Sequence, residues 1–309
     1  MTTAPVRRVL VVGHTGREDA VRSMRAAVAR LRAADVAVRV LAEEAPDLAL
    51  DDVDVVDTGP DAAAGCEVVV VFGGDGTLLR AAELVRATST PVLGVNLGHV
   101  GFLAEAERDA LEATVDKVVA RAYDVEERMT LDVTVRAGGR VVGAGWALNE
   151  ASVEKASRER MLELVAEVDG RPLSRWGCDG VVMATPTGST AYAFSAGGPV
   201  VWPAVAALLL VPISPHALFS RPLVVSPDSV LAVEVLTVGR GSGVLWCDGR
   251  RTMDLPPGAR IEARRGSRPV LLARLHSAPF TDRLVAKFDL PVRGWRGRSA
   301  LPGSDPPPA

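Results

Sequence analysis

Residues 67–77 read EVVVVFGGDGT. After Glu67 the run has no polar alternation, which predicts a strand buried on both faces, as in a parallel sheet. A glycine turn follows, and then a helix over about 77–86. In an open α/β sheet, ligands bind off the carboxyl ends of strands, where this turn lies. Glycines let the backbone come close to a ligand. Consecutive N–H groups at a helix start form a positive pocket suited to phosphate. Asp75 puts a carboxylate in the middle of that pocket. An anion among phosphate binders is costly unless it does work: orienting an attacking hydroxyl, accepting its proton, or holding Mg²⁺. Phosphoryl transfer passes through a loose transition state in which positioning outweighs basicity. Asp75 is therefore expected chiefly to orient the hydroxyl and take its proton late. The competing reading is a plain connecting turn with Asp75 as a cap. The full GGDGT after an apolar strand favours function.

Outward from this turn, the first third alternates strand and helix signals. Strands are predicted at 8–12, 36–41 and 91–96. Helices are predicted at 17–34, with Val21, Met24, Val28 and Leu31 on one face, and at 108–122. Residues 43–65 are acidic and irregular and read as loop with a short element. This is the pattern of a parallel sheet with helices on both sides. From about 125 to 275 the signals become mainly β, with one helical interruption after Ser189. Gly138-Gly139 and Asp169-Gly170 mark two hairpins. A last helix is predicted over 281–288. Residues 291–309 are proline-rich without apolar periodicity and read as a disordered tail.

Two further stretches carry candidate chemistry. Residues 185–192, TPTGSTAY, place four hydroxyls around a Pro–Gly turn that opens a helix-compatible segment. Hydroxyls and helix-start amides suit a polar ligand, and Tyr192 offers a stacking face for a base. A Ser/Thr-capped turn is an equally good reading of these residues alone. Asn149-Glu150 ends a predicted strand, and Asp179 precedes the hydroxyl turn. Paired acceptors of this kind suit the cis-diol of a ribose.

Composition removes several function classes. The chain has 309 residues, 48% hydrophobic and 24% charged, which fits one large or two ordinary globular domains. A net charge of −3 excludes nucleic-acid binding by bulk charge. The longest apolar stretch, 200–210, is broken by Pro203 and is too short to span a membrane. The N-terminal residues show no cleavage signature, so no signal peptide is expected. Cys66, Cys178 and Cys247 are isolated and read as thiols of a reducing, cytoplasmic compartment. His14, His99, His216 and His276 match no metal spacing. No GxxxxGK[ST] loop occurs, and Gly13-His14-Thr15-Gly16 is too weak for a dinucleotide fingerprint.

The chain resembles the NAD kinases. VFGGDGTLLRAAE (71–83), GVNLGHVGFLAE (94–105), ALNEASVEK (147–155), DGVVMATPTGSTAYAFSAGGPV (179–200) and PISPHALFSRPLVV (212–225) follow the family's order and approximate spacing. GGDGT alone is shared with lipid kinases; its combination with NE and TPTGSTAY is far more specific. The resemblance implies a Rossmann-like α/β domain over 1–124, a β-rich, β-sandwich domain over 125–275 that binds NAD, and a segment over 276–290 returning to the first domain. It implies phosphorylation of the 2′-hydroxyl of NAD's adenosine ribose, giving NADP. Asp75 would be the catalytic carboxylate, contacting NAD together with Gly76. Gly73, Gly74, Gly76, Thr77 and Arg80 would hold phosphate. Asn149, Glu150, Arg160, Asp179, Thr190, Ala191, Tyr192, Ala193, Phe194 and Ser195 would bind NAD. Mg²⁺ is expected mainly through the donor's phosphates, with no dedicated protein ligands. The donor, ATP or inorganic polyphosphate, stays open, and a homodimer or homotetramer is implied. Many relatives carry Arg-Gly where this chain has Gly177-Cys178, so that arginine's anion contact is absent or supplied elsewhere. A GGDGT lipid-type kinase and a non-catalytic NAD or NADP sensor are the alternatives. Neither nucleic acid nor membrane is an expected partner.

Overall fold

The computed structural model describes residues 7–97, 101–103, 111–157, 161–237, 242–275 and 279–292. Arg160 lies outside them, as do His99, His276 and all of the expected tail beyond Val292.

Chain order begins with β1 (Arg8–Gly13), α1 (Glu18–Ala33), β2 (Ala37–Leu41), α2 (Ala45–Leu48) and β3 (Asp54–Val56). It continues through β4 (Val68–Phe72), α3 (Asp75–Leu84), β5 (Val92–Val95), α4 (Leu111–Val119) and β6 (Asp124–Arg128). All five residues of β4 are buried, as its unbroken apolar run requires. In α1 the buried face runs through Ala20, Met24, Ala27 and Leu31, so Val21 falls at its margin. α1 and α4 cover one face of the sheet, and α3 covers the other.

The second unit runs β7 (Leu131–Ala137), β8 (Arg140–Ala147), β9 (Glu150–Lys155), β10 (Leu162–Val168), β11 (Arg171–Cys178) and β12 (Gly180–Ala184). One turn of 3₁₀ helix (Thr187–Thr190) and a short α5 (Tyr192–Ser195) interrupt it. Then come β13 (Leu208–Ile213), β14 (Leu223–Val225), β15 (Leu231–Val235), β16 (Gly243–Cys247), β17 (Arg251–Leu255) and β18 (Arg260–Arg265). The chain closes with β19 (Val270–Arg274) and α6 (Phe280–Phe288).

The first sheet has the order β3-β2-β1-β4-β5-β19-β6. Its strands are parallel except for β6, which pairs antiparallel with β19. The strand order reverses between β1 and β4, the switch point where doubly wound sheets bind ligands. Two antiparallel six-stranded sheets, β11-β10-β15-β18-β7-β8 and β14-β13-β12-β9-β16-β17, build the second unit. Their inner faces share one core, in which Val133, Leu164 and Ile261 face Val153, Met183 and Leu245, making a β-sandwich. Gly138-Gly139 and Asp169-Gly170 both take positive φ at both turn positions, as two-residue hairpins require.

Several strands escape the sequence pattern. β6 reads DVEER and serves as a charged edge strand, where propensity is overridden by pairing and charge blunts the edge. β13 lies in the long apolar stretch and is buried on both faces, so it lacks alternation. The largely apolar run 223–235 is broken at Pro227 into β14 and β15, which belong to different sheets. The return to the first sheet is already made by β19.

Candidate active site

GGDGT closes the end of β4. Gly74 is the N-cap of α3 and Asp75 its first residue. The N–H of Gly73 donates to the Val95 carbonyl at 3.1 Å, so Gly73 shapes the turn and keeps its amide in the sheet. The amides of Gly74, Asp75 and Gly76 open the helix and have no intrahelical acceptor. Gly74, Gly76, Thr77, Leu79 and Arg80 line a cleft of about 700 Å³. The opposite wall is Gly13–Gly16, the loop after β1, so the cleft sits at the switch point. The weak glycine pair at 13 and 16 is thus part of the site for a topological reason its spacing does not reveal. The third wall is Asp248, Gly249 and Arg250, brought in from the turn between β16 and β17.

Asp75 turns its carboxylate to the loop 101–103. The N–H of Phe102 donates to Oδ2 at 3.3 Å and that of Leu103 to Oδ1 at 3.2 Å. A Cβ on Gly101 would stand 2.6 Å from Asp75 Oδ1, so any other residue there would push the carboxylate aside. The aspartate is therefore fixed in direction.

Arg80 points into the cleft with its charge engaged. It donates to Glu43 at 3.0 Å, to the Gly13 carbonyl at 2.9 Å, and to buried Glu44. Burial pushes the Glu44 carboxyl up to about 6, against the opposing pull of Arg80 and the Gly13 N–H.

Asn149 and Glu150 lie where β8 passes into β9. Their position is set by Asp248, which the sequence reading did not single out. The carboxylate of Asp248 accepts the N–H groups of Leu148 (3.0 Å), Asn149 (2.7 Å) and Glu150 (3.4 Å). Asp248 takes φ 54° and Gly249 φ 63°, and the Asp-Gly pair in WCDGR is the signal that marks this turn. Arg251 Nη2 donates to Asp248 at 2.6 Å, while Arg250 and Arg251 both reach Glu83 on α3. Burial raises the Asp248 carboxyl above its usual range. One connected network thus joins the helix that begins at Asp75 to the Asn149-Glu150 peptide.

Glu150 is the most perturbed carboxyl of the site. Burial first, then Asp248, pushes it up to about 8. The Tyr192 N–H donates to it, while Oε2 is buried with no hydrogen-bond partner among the described residues. A buried carboxyl oxygen without a partner fits a ligand hydroxyl.

The TPTGSTAY turn packs on the same peptide. Thr185 Oγ1 donates to the Leu148 carbonyl at 2.6 Å and accepts the Gly188 N–H at 3.1 Å. A Cβ on Gly188 would lie 2.0 Å from the Asn149 carbonyl oxygen. Ser189 donates to the Pro186 carbonyl and accepts from the Val201 N–H at 2.9 Å. Both hydroxyls hold the turn together, as the capped-turn reading of these two residues has it. Thr190 and Ser195 also bond to nearby carbonyls, at 3.3 and 3.2 Å. Tyr192 is half-buried beside Glu154, and burial with that hydrogen bond raises its phenol. Ala193 is buried, whereas Phe194 and Ser195 are exposed.

Asp179 and Glu150 do not form one acceptor pair. In the β9–β12 register Glu150 faces Ala184, while Gly180, next to Asp179, faces Glu154. Five residues of strand separate Asp179 from the partner of Glu150, roughly 16 Å. Asp179 is instead paired with Lys155 at 2.5 Å, a cation beside the position where Gly177-Cys178 replaces Arg-Gly. Among the described residues no three ligating side chains cluster as a metal cage.

A model of the ATP-NAD kinase N-terminal domain matches residues 9–123, and one of the ATP-NAD kinase C-terminal domain matches residues 148–275. NAD kinase 2 of Streptomyces coelicolor is 64% identical over 299 residues, covering 96% of this chain and 99% of that protein. NAD kinase of Thermobifida fusca is 63% identical, covering 95% and 93%. An NAD kinase from Archaeoglobus fulgidus, solved in complex with ATP, superposes with TM-score 0.69 at 26% identity, covering 91% and 98%. Yeast NADH kinase complexed with NADH shares the fold, with TM-score 0.85 at 24% identity over 96% of this chain and 91% of its own. The two halves of the site lie in the two matched segments, and the chain belongs to the NAD kinase family.

Proposed function

We propose that this chain transfers a phosphoryl group to the 2′-hydroxyl of the adenosine ribose of NAD, giving NADP. One observation carries the mechanism: Asp75 is a fixed carboxylate at the start of α3, flanked by two glycines that line the switch-point cleft. In this reading the helix-start amides and Thr77 hold the donor's phosphates. Arg80 joins them by exchanging its bond to Glu43 for one to a phosphate oxygen. Asp75 orients the 2′-hydroxyl and receives its proton as the hydroxyl oxygen bonds to phosphorus and the bond from phosphorus to the donor's bridging oxygen breaks, releasing the shortened donor.

Asn149, Glu150 and residues 190–195 hold the nucleotide, with Tyr192 stacking on a base and Glu150 hydrogen-bonding a hydroxyl. Asp179, held by Lys155, contacts NAD at a separate point along β12. Arg160 keeps its proposed role from the sequence.

Mg²⁺ fits the donor set on offer. It is commonly held by one or two carboxylates plus substrate phosphates, and Asp75 supplies one carboxylate without a protein cage. When bound, the ion neutralises charge on the transferring phosphates.

ATP is our preferred donor, supported by the relative solved with ATP, and polyphosphate is the second candidate. We infer a cytoplasmic location from the free Cys66, Cys178 and Cys247. Among the described residues, no helix is long and apolar enough to cross a membrane. A homodimer or homotetramer is supported by the exposed apolar side chains of Val205, Leu218 and Phe219. The family match disfavours a lipid-type kinase, and intact Asp75 and glycines disfavour a sensor.

A coupled assay for NADP formation tests the activity, with NAD, Mg²⁺ and either ATP or polyphosphate. NADP formation with one donor or both is the expected result. Tight NAD binding without NADP from either donor would instead establish a sensor.

A further inference from the structure

Asp75 is held by two peptide N–H groups; one of those peptides is itself held by an arginine, and a second arginine holds the next carbonyl along. The Phe102 carbonyl accepts from Arg283 Nη1 at 3.4 Å, and the Leu103 carbonyl accepts from Arg274 Nη1 at 3.3 Å. The first contact acts through a single amide. The carbonyl of Phe102 and the N–H of Leu103 are two ends of one planar, conjugated unit. A cation donating to that carbonyl polarises the unit and makes its N–H a stronger donor. That N–H is the one on Asp75 Oδ1.

The arginines are well seated. Arg274 is buried on β19, with Nε donating to Glu126 Oε2 at 2.8 Å, and the same oxygen accepts Arg128 Nη2 at 3.0 Å. Arg283 is half-buried on α6. The two ends of that helix, Phe280 and Phe288, each pack 5.8 Å from the Phe102 ring. Phe288 also stacks on Phe194 at 4.5 Å. α6 therefore grips both the ring and the carbonyl of the residue whose own amide meets Asp75.

We propose that Arg283, with Arg274 behind it, is a positioning residue for phosphoryl transfer, orienting Asp75 through the Phe102–Leu103 peptide without touching either substrate. The proposal rests on the kinase reading of this site. It requires turnover to depend on a side chain of the last helix, while substrate binding does not.

The test compares Arg283→Met, which keeps the aliphatic stem, with Arg283→Lys in the full chain. In Arg283→Met, kcat falls about tenfold, the scale of a charge-assisted hydrogen bond relayed through one amide. KM for NAD and for the donor each stay within about twofold. Arg283→Lys recovers most of the loss. In an Asp75→Asn background the same Met substitution leaves the residual rate unchanged, because the group it positions is already gone. Unchanged kcat in Arg283→Met, a change confined to KM, or an equal fall in both backgrounds would each overturn the proposal. The wild-type control separates the two readings. Absence of NADP from wild type removes the kinase assignment, whereas normal wild-type turnover with an unaffected Met variant removes only the positioning role.

Discussion

Glu150 illustrates how far burial moves a single group. Its carboxyl titrates near 8 against an ordinary 4.5, mainly through desolvation. A carboxyl raised in this way keeps its proton longer in the folded chain. Folding stability is then fullest below pH 4.5 and declines as pH rises from 4.5 toward 8. Glu150→Gln cannot ionise. Its stability relative to wild type should therefore improve across that window, by roughly 2–5 kcal/mol at the alkaline end. Urea melts of both proteins at pH 5 and pH 8.5 check this; a constant difference between them would contradict the assignment. The same variant should weaken NAD binding if the orphan oxygen serves the ligand.

At the scale of elements, two turns hold the Asn149-Glu150 peptide from opposite sides. The TPTGSTAY turn touches it so closely that Gly188 has no room for a Cβ, and the obstacle is backbone. Gly188→Ala should cost at least about 1–3 kcal/mol of stability, the usual scale of overpacking. NAD affinity should fall with it, as measured by calorimetry on the folded fraction. The turn between β16 and β17 acts through Asp248, whose carboxylate serves three amides and Arg251. Asp248→Asn removes the charge opposite Arg251 and should destabilise the chain by about 2–4 kcal/mol. It should also raise KM for NAD more than KM for the donor. Equal effects on both constants would show that this turn does not belong to the nucleotide half of the site.

Over the whole molecule, the parts of the fold set by local pattern were legible and those set by pairing partners were not. β4 and α1 announce themselves by burial and period, and the Gly-Gly and Asp-Gly hairpins by positive φ. β6 does not, since DVEER becomes a strand only because β19 lies beside it. The candidate site shows the same division. GGDGT, Asn149-Glu150 and TPTGSTAY stand out as motifs, and the family resemblance gave them roles. Asp248 and Arg283 act through backbone atoms of residues far away in sequence, Gly101 through its closeness to the Asp75 carboxylate, and no spacing rule exposes them. The expected pairing of Glu150 with Asp179 failed for a related reason: strand register, which a sequence does not display, puts them at opposite ends of β12.

The central claim is that Asp75, held at the start of α3 by the amides of Phe102 and Leu103, orients the attacking hydroxyl. It is tested most directly by kcat for NADP formation in Asp75→Asn, with the NAD dissociation constant measured on the same preparation. The account predicts a fall in kcat of about 10²–10⁴ with NAD binding retained. Near-normal turnover in that variant would contradict it.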